Sequence, residues 1–289
     1  MTNDKTYIKD SLCGDTVVIN GIPFRMEYLI SQGSDSRIYS ARSLGSGVDS
    51  AFVIKYRSCR VGGEEWDRCM REIEAGQMLR GCSHIVKLLG HSVRLGGEGG
   101  AAEIFLLYHR LACLSGIVPT TAETLGMCRD ICRALDYMRR KGLIHCDIKP
   151  SNIYRSADHW LLGDLGSVCL SGGTPETGSI GYCSPEAYRG ERCDIRADLY
   201  SLGITCYQQL SGGRLPFCDV PCGEMQEEEV NAVIQRRQSG ENIPPIESAG
   251  DEVNALLMRM CAFERRRRFR TPRAASRTLE KIIGRVSCL

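Results

Sequence analysis

No run of about eighteen consecutive apolar residues occurs in the chain, so nothing in it reads as a membrane-spanning helix. The first residues, Met1-Thr2-Asn3-Asp4-Lys5, lack the apolar centre of a secretory leader. An excess of one charge is missing too. Lys and Arg number 37 against 35 Asp and Glu, a net charge of +2, which is too small for a whole-molecule field aimed at nucleic acid or an anionic membrane. There is no internal repeat and no low-complexity segment, which excludes solenoid and fibrous architectures. Nor is there a C-x-x-C pair, although the chain holds 16 cysteines. Cys218 and Cys222 flank Asp219-Val220-Pro221 with no histidine nearby, poor spacing for zinc. The thiols are scattered through predicted helices and strands, as at Cys128 and Cys132 on one helix, the usual pattern of buried free cysteine. These absences predict a protein of the reducing cytoplasm, without a membrane span or a nucleic-acid partner.

What is present suits a sizeable globular chain. With 289 residues, 43% hydrophobic and 25% charged, it can bury one or two good cores. Residues 1–22 hold no clear motif and are set apart as an N-terminal extension, a tail or one extra strand. Residues 24–30 alternate like a half-buried strand, a Ser- and Gly-containing turn follows, and 37–41 resume strand character, making a hairpin. A Gly/Ser turn at 44–49 leads to the strand Phe52-Val53-Ile54-Lys55. A helix is expected over 64–80, then a Gly-rich turn at 95–100 and a strand at 103–107. Residues 124–141 place Leu125, Cys128, Ile131, Cys132, Leu135 and Met138 on one helical face. Further helices are expected at 196–211, 224–239, 251–262 and 271–285.

The chemistry concentrates in His145-Cys146-Asp147-Ile148-Lys149-Pro150-Ser151-Asn152. A carboxylate, an ammonium and a carboxamide stand within six residues, just after the 124–141 helix. Asp147 can accept the proton of an attacking hydroxyl, Lys149 can neutralise a migrating phosphoryl group, and the Asn152 amide oxygen can hold Mg²⁺. Asp164-Leu165-Gly166 supplies a second metal-binding carboxylate twelve residues after Asn152.

This set resembles the eukaryotic-type (Hanks-type) protein serine/threonine kinase family, and the resemblance continues in order over roughly residues 24 to 285. Val53-Ile54-Lys55 is similar to its lysine strand and Arg71-Glu72-Ile73 to its paired helix, which implies a Lys55–Glu72 ion pair holding the α- and β-phosphates. Gly178-Ser179-Ile180-Gly181-Tyr182-Cys183-Ser184-Pro185-Glu186 resembles the end of an activation segment, with Ser184-Pro185-Glu186 for the usual Ala-Pro-Glu. Asp198-Leu199-Tyr200-Ser201-Leu202-Gly203 resembles the start of the buried helix whose aspartate anchors the catalytic loop. The resemblance implies an α+β, bilobal protein-kinase-like fold: a small β-rich N-lobe with one helix (23–110), a larger helical C-lobe (111–289), and a hinge at 108–111. It further implies an adenine edge read at that hinge, with Leu107 at the back of the pocket and Tyr108 beside it. Glu186 is expected to pair with Arg268, the other arginines of 265–268 forming a solvated face. His145 organises backbone, and the Ser179 hydroxyl touches Asp147.

Two departures matter. The phosphate-covering G-x-G-x-x-G appears as Ser31-Gln32-Gly33-Ser34-Asp35-Ser36, so side chains stand where backbone normally approaches phosphate. Cys146 replaces the arginine found before the catalytic aspartate in many protein kinases. This marks a non-Arg-Asp variant in which a phosphate on the segment has less electrostatic work to do, although Ser167, Ser171, Thr174, Thr177 and Ser179 offer hydroxyls. The sequence thus predicts an ATP- and Mg²⁺-dependent (or Mn²⁺-dependent) kinase acting on Ser/Thr of protein substrates. Catalysis falls to Asp147, Lys149, Lys55 and Glu72; nucleotide and metal contacts fall to Ser31, Gly33, Ser36, Lys55, Leu107, Tyr108, Asn152 and Asp164, the last pair holding the metal. The alternatives are a pseudokinase scaffold crippled at the Gly-rich loop and, disfavoured by Lys149, a small-molecule phosphotransferase.

Overall fold

The computed structural model describes residues 10–33, 36–45, 51–96, 100–176 and 178–286, in two compact units. Ser34 and Asp35 of the phosphate-covering loop, Thr177, residues 46–49 of the first turn and 97–99 of the second lie outside the described residues.

One unit runs through residue 80 and resumes at Lys87–Leu111. It is a six-stranded antiparallel sheet in the order β1-β2-β3-β4-β6-β5, made of β1 (Thr16–Ile19), β2 (Ile22–Gln32), β3 (Arg37–Ser43), β4 (Phe52–Arg60), β5 (Gly90–Leu95) and β6 (Ala101–His109). Period-two alternation sorts the side chains between its faces. Val17, Ile19, Phe24, Met26, Tyr39, Ile54, Phe105 and Leu107 share one buried cluster, while Cys59, Ile104 and Leu106 pack with Cys69 and Ile73 of helix α1 (Glu64–Met78) in a second. Glu64, Glu65 and Asp67 in the first turn of α1 oppose its dipole.

The stretch set apart as an extension supplies a sheet strand. Val17 and Ile19 of β1 are fully buried, and β1 reaches the opposite edge strand, with Asn20 Nδ2 donating to Leu89 O (3.0 Å) and Arg94 Nη2 to Thr16 O (2.9 Å). The sheet therefore curls until its edges meet. Gly90 permits this, since a Cβ there would lie 2.7 Å from Ile19 Cγ2.

The second unit comprises Gly81–Val86 and the chain from Ala112 onward. Residues 81–86 join it through backbone bonds from Val86 N to Leu162 O (2.8 Å) and Leu162 N to His84 O (2.9 Å). Short strands β7 (Ala112–Cys113), β9 (Ile153–Arg155) and β10 (Trp160–Leu162) form one small sheet, and β8 (Leu143–Ile144) pairs with β11 (Cys169–Leu170). Around them stand α2 (Thr121–Arg140), α3 (Pro185–Tyr188), α4 (Ile195–Leu210), α5 (Glu227–Gln238), α6 (Asp251–Met260) and α7 (Pro272–Val286). A Thr120/Glu123 capping box starts α2. The helix α4 is buried nearly all round, and Gly203 lets α6 close on it, because a Cβ there would lie 2.5 Å from Cys261 Sγ.

Candidate active site

In the sheet unit, β4 presents Lys55 and α1 presents Glu72 on the same side of the sheet. Lys55 Nζ donates to both carboxylate oxygens of Glu72, at 3.0 and 2.9 Å, with the two residues 6% and 1% exposed. A buried charge pair stands only when each charge finds a partner of good geometry, and the bidentate contact supplies one. Tyr108 completes it, its hydroxyl donating to Glu72 Oε1 at 2.8 Å. Cross-strand register explains why Tyr108 is there: Lys55 lies opposite Leu106 and Val53 opposite Tyr108, so Tyr108 shares the face of Lys55.

The same register corrects the expectation for Leu107. It lies opposite Ile54 and is buried among Tyr39, Ile54 and Phe105 on the other face, so the residue beside the ion pair is Tyr108. Among the backbone groups of 108–111, the Arg110 N–H is already donated to Ala51 O at 2.9 Å. Ser31 is exposed in β2 opposite Ile38, and Gly33 N bonds Ser36 O at 2.9 Å to close the hairpin turn.

In the helical unit the residues expected to form the catalytic loop converge. The Asp147 carboxylate accepts from three donors: Ser179 N at 2.9 Å on Oδ1, and Lys149 Nζ and Asn152 Nδ2, each at 3.0 Å, on Oδ2. Asn152 Nδ2 also donates to Asp147 O at 2.8 Å, so Oδ1 is the amide atom left to face a cation. The expected touch between Ser179 and Asp147 is made through the backbone. The Ser179 hydroxyl instead accepts from Lys149 Nζ at 2.7 Å.

Beneath the loop sits Asp198 of α4, 1% exposed. Its oxygens accept from His145 N (2.7 Å) and Cys146 N (2.9 Å). Burial pushes this carboxyl above the usual range, against the pull of His145 and the two backbone N–H groups. His145 Nδ1 accepts from Asp147 N at 3.3 Å, which leaves Nε2 to carry the proton it shares with Gly163 O at 3.0 Å. The histidine is thus a backbone brace between the loop and the residue before Asp164. Gly163 itself is required: a Cβ would lie 2.8 Å from the Tyr154 ring and 2.9 Å from Val86 Cγ2. Asp164 follows in the left-handed region (φ 56°, ψ 78°) with its carboxylate turned back to Gly166 N.

Glu186 and Arg268 form the expected buried bidentate pair, at 2.6 and 2.8 Å. Sequence reasoning missed Arg237 of α5, which is 2% exposed. It donates to Tyr200 Oη (3.1 Å), Cys183 O (2.8 Å) and Gly181 O, holding the segment after Ser179. An arginine in a polar helix carries no signal of such a role.

The profile of the protein kinase domain matches residues 24–279. The chain is 38% identical over 126 residues to serine/threonine-protein kinase PknJ of Mycobacterium tuberculosis, covering 40% of this chain and 20% of PknJ. To serine/threonine-protein kinase PknB of Mycobacterium leprae it is 35% identical over 98 residues, 31% of this chain and 16% of PknB. The matched stretches thus span a fifth or less of these relatives. The fold is similar to that of the Cydia pomonella granulovirus kinase PK-1, with a TM-score of 0.70 and 20% identity over 87% of this chain and 92% of that one. With the profile matched across most of its length, the chain belongs to the protein kinase domain family.

Proposed function

We propose that this chain is an active, ATP-dependent protein serine/threonine kinase. The observation that carries the reading is the Asp147 carboxylate, held on both oxygens by Ser179 N, Lys149 Nζ and Asn152 Nδ2. A carboxylate oriented so firmly can align a substrate hydroxyl and take its proton as the oxygen attacks the γ-phosphorus. Lys149, shared between Asp147 and the Ser179 hydroxyl, supplies positive charge to the phosphoryl oxygens. The Lys55–Glu72 pair places an ammonium for the α- and β-phosphates.

The donor chemistry fits Mg²⁺: the Asn152 amide oxygen and the Asp164 carboxylate are hard oxygen ligands. Among the described residues no group of three or more His, Cys, Asp or Glu could hold a metal by itself. One carboxylate and an amide, with phosphates and water, suit Mg²⁺, which when bound neutralises charge on the β- and γ-phosphates.

Gly33 also supports a nucleotide. Its φ is not positive, and among the described residues a Cβ would meet only Ser36 O at 3.8 Å, so nothing described there demands glycine; approach of a phosphate does. Ser31 and Ser36 favour the second reading, a scaffold that binds partners without turnover, but such a scaffold has no need of the fully bonded Asp147. No helix among the described residues is long and apolar enough to cross a membrane, in keeping with a cytoplasmic enzyme. Transfer of label from γ-labelled ATP to a generic Ser/Thr protein substrate, wild type against Asp147→Asn, is the test. Equal labelling by both, or none by either in Mg²⁺ or Mn²⁺, would sink the reading.

A further inference from the structure

Cys146 and Cys169 bring their Sγ atoms to 3.4 Å, in contact and not joined by a disulfide. Neither has a part in the reaction above. Strand pairing explains the approach: β8 and β11 are antiparallel with Ile144 opposite Cys169 and Leu143 opposite Leu170, and Cys146 stands two residues beyond Ile144. Its backbone is left-handed (φ 69°) and its N–H is fixed by Asp198 Oδ1 at 2.9 Å, so the residue is held where it is. Both side chains are partly exposed. Cys193, bonded through its backbone to Gly172 and Gly173, is fully buried and donates its thiol to Glu191 O at 3.4 Å.

We propose that Cys146 and Cys169 are a thiol modification site, oxidised by peroxide to a disulfide that clasps the catalytic loop to the start of the segment leading to Ser179. The contact with Cys169, then burial and the Asp198 charge, push the Cys146 thiol up; the disulfide is the same whichever thiol meets the peroxide, and the step is written with Cys169 first. Cys169 Sγ bonds to one peroxide oxygen, the O–O bond breaks, and water leaves with the thiol proton, giving a sulfenic acid. Cys146 Sγ then attacks that sulfur and the S–O bond breaks. The hydroxyl leaves with the Cys146 proton as a second water. The two thiols lose two electrons and the peroxide gains them; a small-molecule dithiol reverses the step by exchange. The clasp would be consequential because the β8–β11 pair is only two residues long, too short to be firm alone. One of its two sulfurs belongs to Cys146, the residue that stands where many protein kinases carry an arginine.

The test uses the reduced chain of 289 residues, treated with hydrogen peroxide, alkylated, digested and read by mass spectrometry. A linked peptide holding both residues, two hydrogens lighter than its parts and split by dithiothreitol, is expected in the wild type and absent from Cys146→Ser and Cys169→Ser. The melting midpoint of the oxidised wild type should rise by roughly 5 °C, as for closure of a loop of this size. Proteolysis between residues 170 and 184 should slow by about fivefold or more, as a local opening is suppressed. No transfer assay enters, so the result is independent of whether the chain is active. Recovery of both thiols alkylated, their oxidation to sulfinic acids, or linkage of Cys169 to Cys193 overturns the proposal. A linked peptide with unchanged melting and digestion overturns the clasp. Cys169→Ser serves as the working control should Cys146→Ser misfold.

Discussion

Tyr108 donates its hydroxyl to Glu72 Oε1 at 2.8 Å, the carboxylate that also receives Lys55 Nζ. Three donor contacts thus reach a carboxylate that is 1% exposed. A hydrogen bond to a buried charge contributes about 1.5–3 kcal/mol. Tyr108→Phe keeps the ring and removes the hydroxyl that makes that bond. The expected outcome is a lower melting midpoint, and a Michaelis constant for ATP raised roughly three- to tenfold as Lys55 is held less firmly. Unchanged melting and kinetics would show that the hydroxyl does not steady the pair.

Removing Lys55 does more, because Glu72 is then left buried with Tyr108 as its partner. Lys55→Met should lower transfer at least about a hundredfold and cost about 3–5 kcal/mol of stability. Adding Glu72→Gln removes the stranded charge, so the double variant should regain stability without regaining activity. If activity returned with stability, Lys55 would be a structural lysine.

The two contacts of Ser179 can be separated by substitution. Ser179→Ala keeps the N–H bonded to Asp147 Oδ1 and removes only the hydroxyl bonded to Lys149. A fall in kcat of about tenfold or less is expected, well short of the loss in Asp147→Asn, since the base keeps its orientation. A loss equal to that of Asp147→Asn would mean that the hydroxyl, and not the amide, positions the carboxylate.

How much of this was legible in the sequence follows from what kind of signal each residue leaves. Lys55, Glu72, Asp147 and Asn152 belong to local strings whose order carries information, and the buried Lys55–Glu72 and Glu186–Arg268 pairs formed as the strings implied. The Leu107 expectation failed by one residue because a strand alternates its faces, and nothing within Phe105-Leu106-Leu107-Tyr108 says which pair looks toward α1. For residues 1–22 the sequence left a tail and one extra strand open, and β1 is that strand, its four residues pairing across a tight turn rather than standing in a motif. Arg237 and the Cys146–Cys169 contact depend on tertiary approach over 54 and 23 positions, which no local pattern encodes.

Asp164 allows the metal requirement to be tested without disturbing the fold. Its backbone is left-handed (φ 56°), a conformation that asparagine tolerates and alanine resists. Asp164→Asn therefore keeps the turn while removing the anionic ligand. Transfer should fall at least about a thousandfold, with the melting midpoint nearly unchanged, and chelation of divalent cations should silence the wild type. Transfer in chelator would exclude the metal assignment.

The Gly-rich loop separates enzyme from scaffold. Ser31 and Ser36 flank Gly33 on a hairpin closed by the bond from Gly33 N to Ser36 O. If the hydroxymethyl groups merely hold the backbone off the phosphates, Ser31→Gly and Ser36→Gly should each lower the Michaelis constant for ATP, by roughly two- to fivefold. Gly33→Val should raise it. Among the described residues a Cβ at Gly33 meets only Ser36 O at 3.8 Å, so melting without nucleotide should barely change while the nucleotide-induced shift shrinks. A scaffold gives the opposite pattern: no nucleotide-induced shift in any of the four proteins, wild type included, and no gain from either glycine.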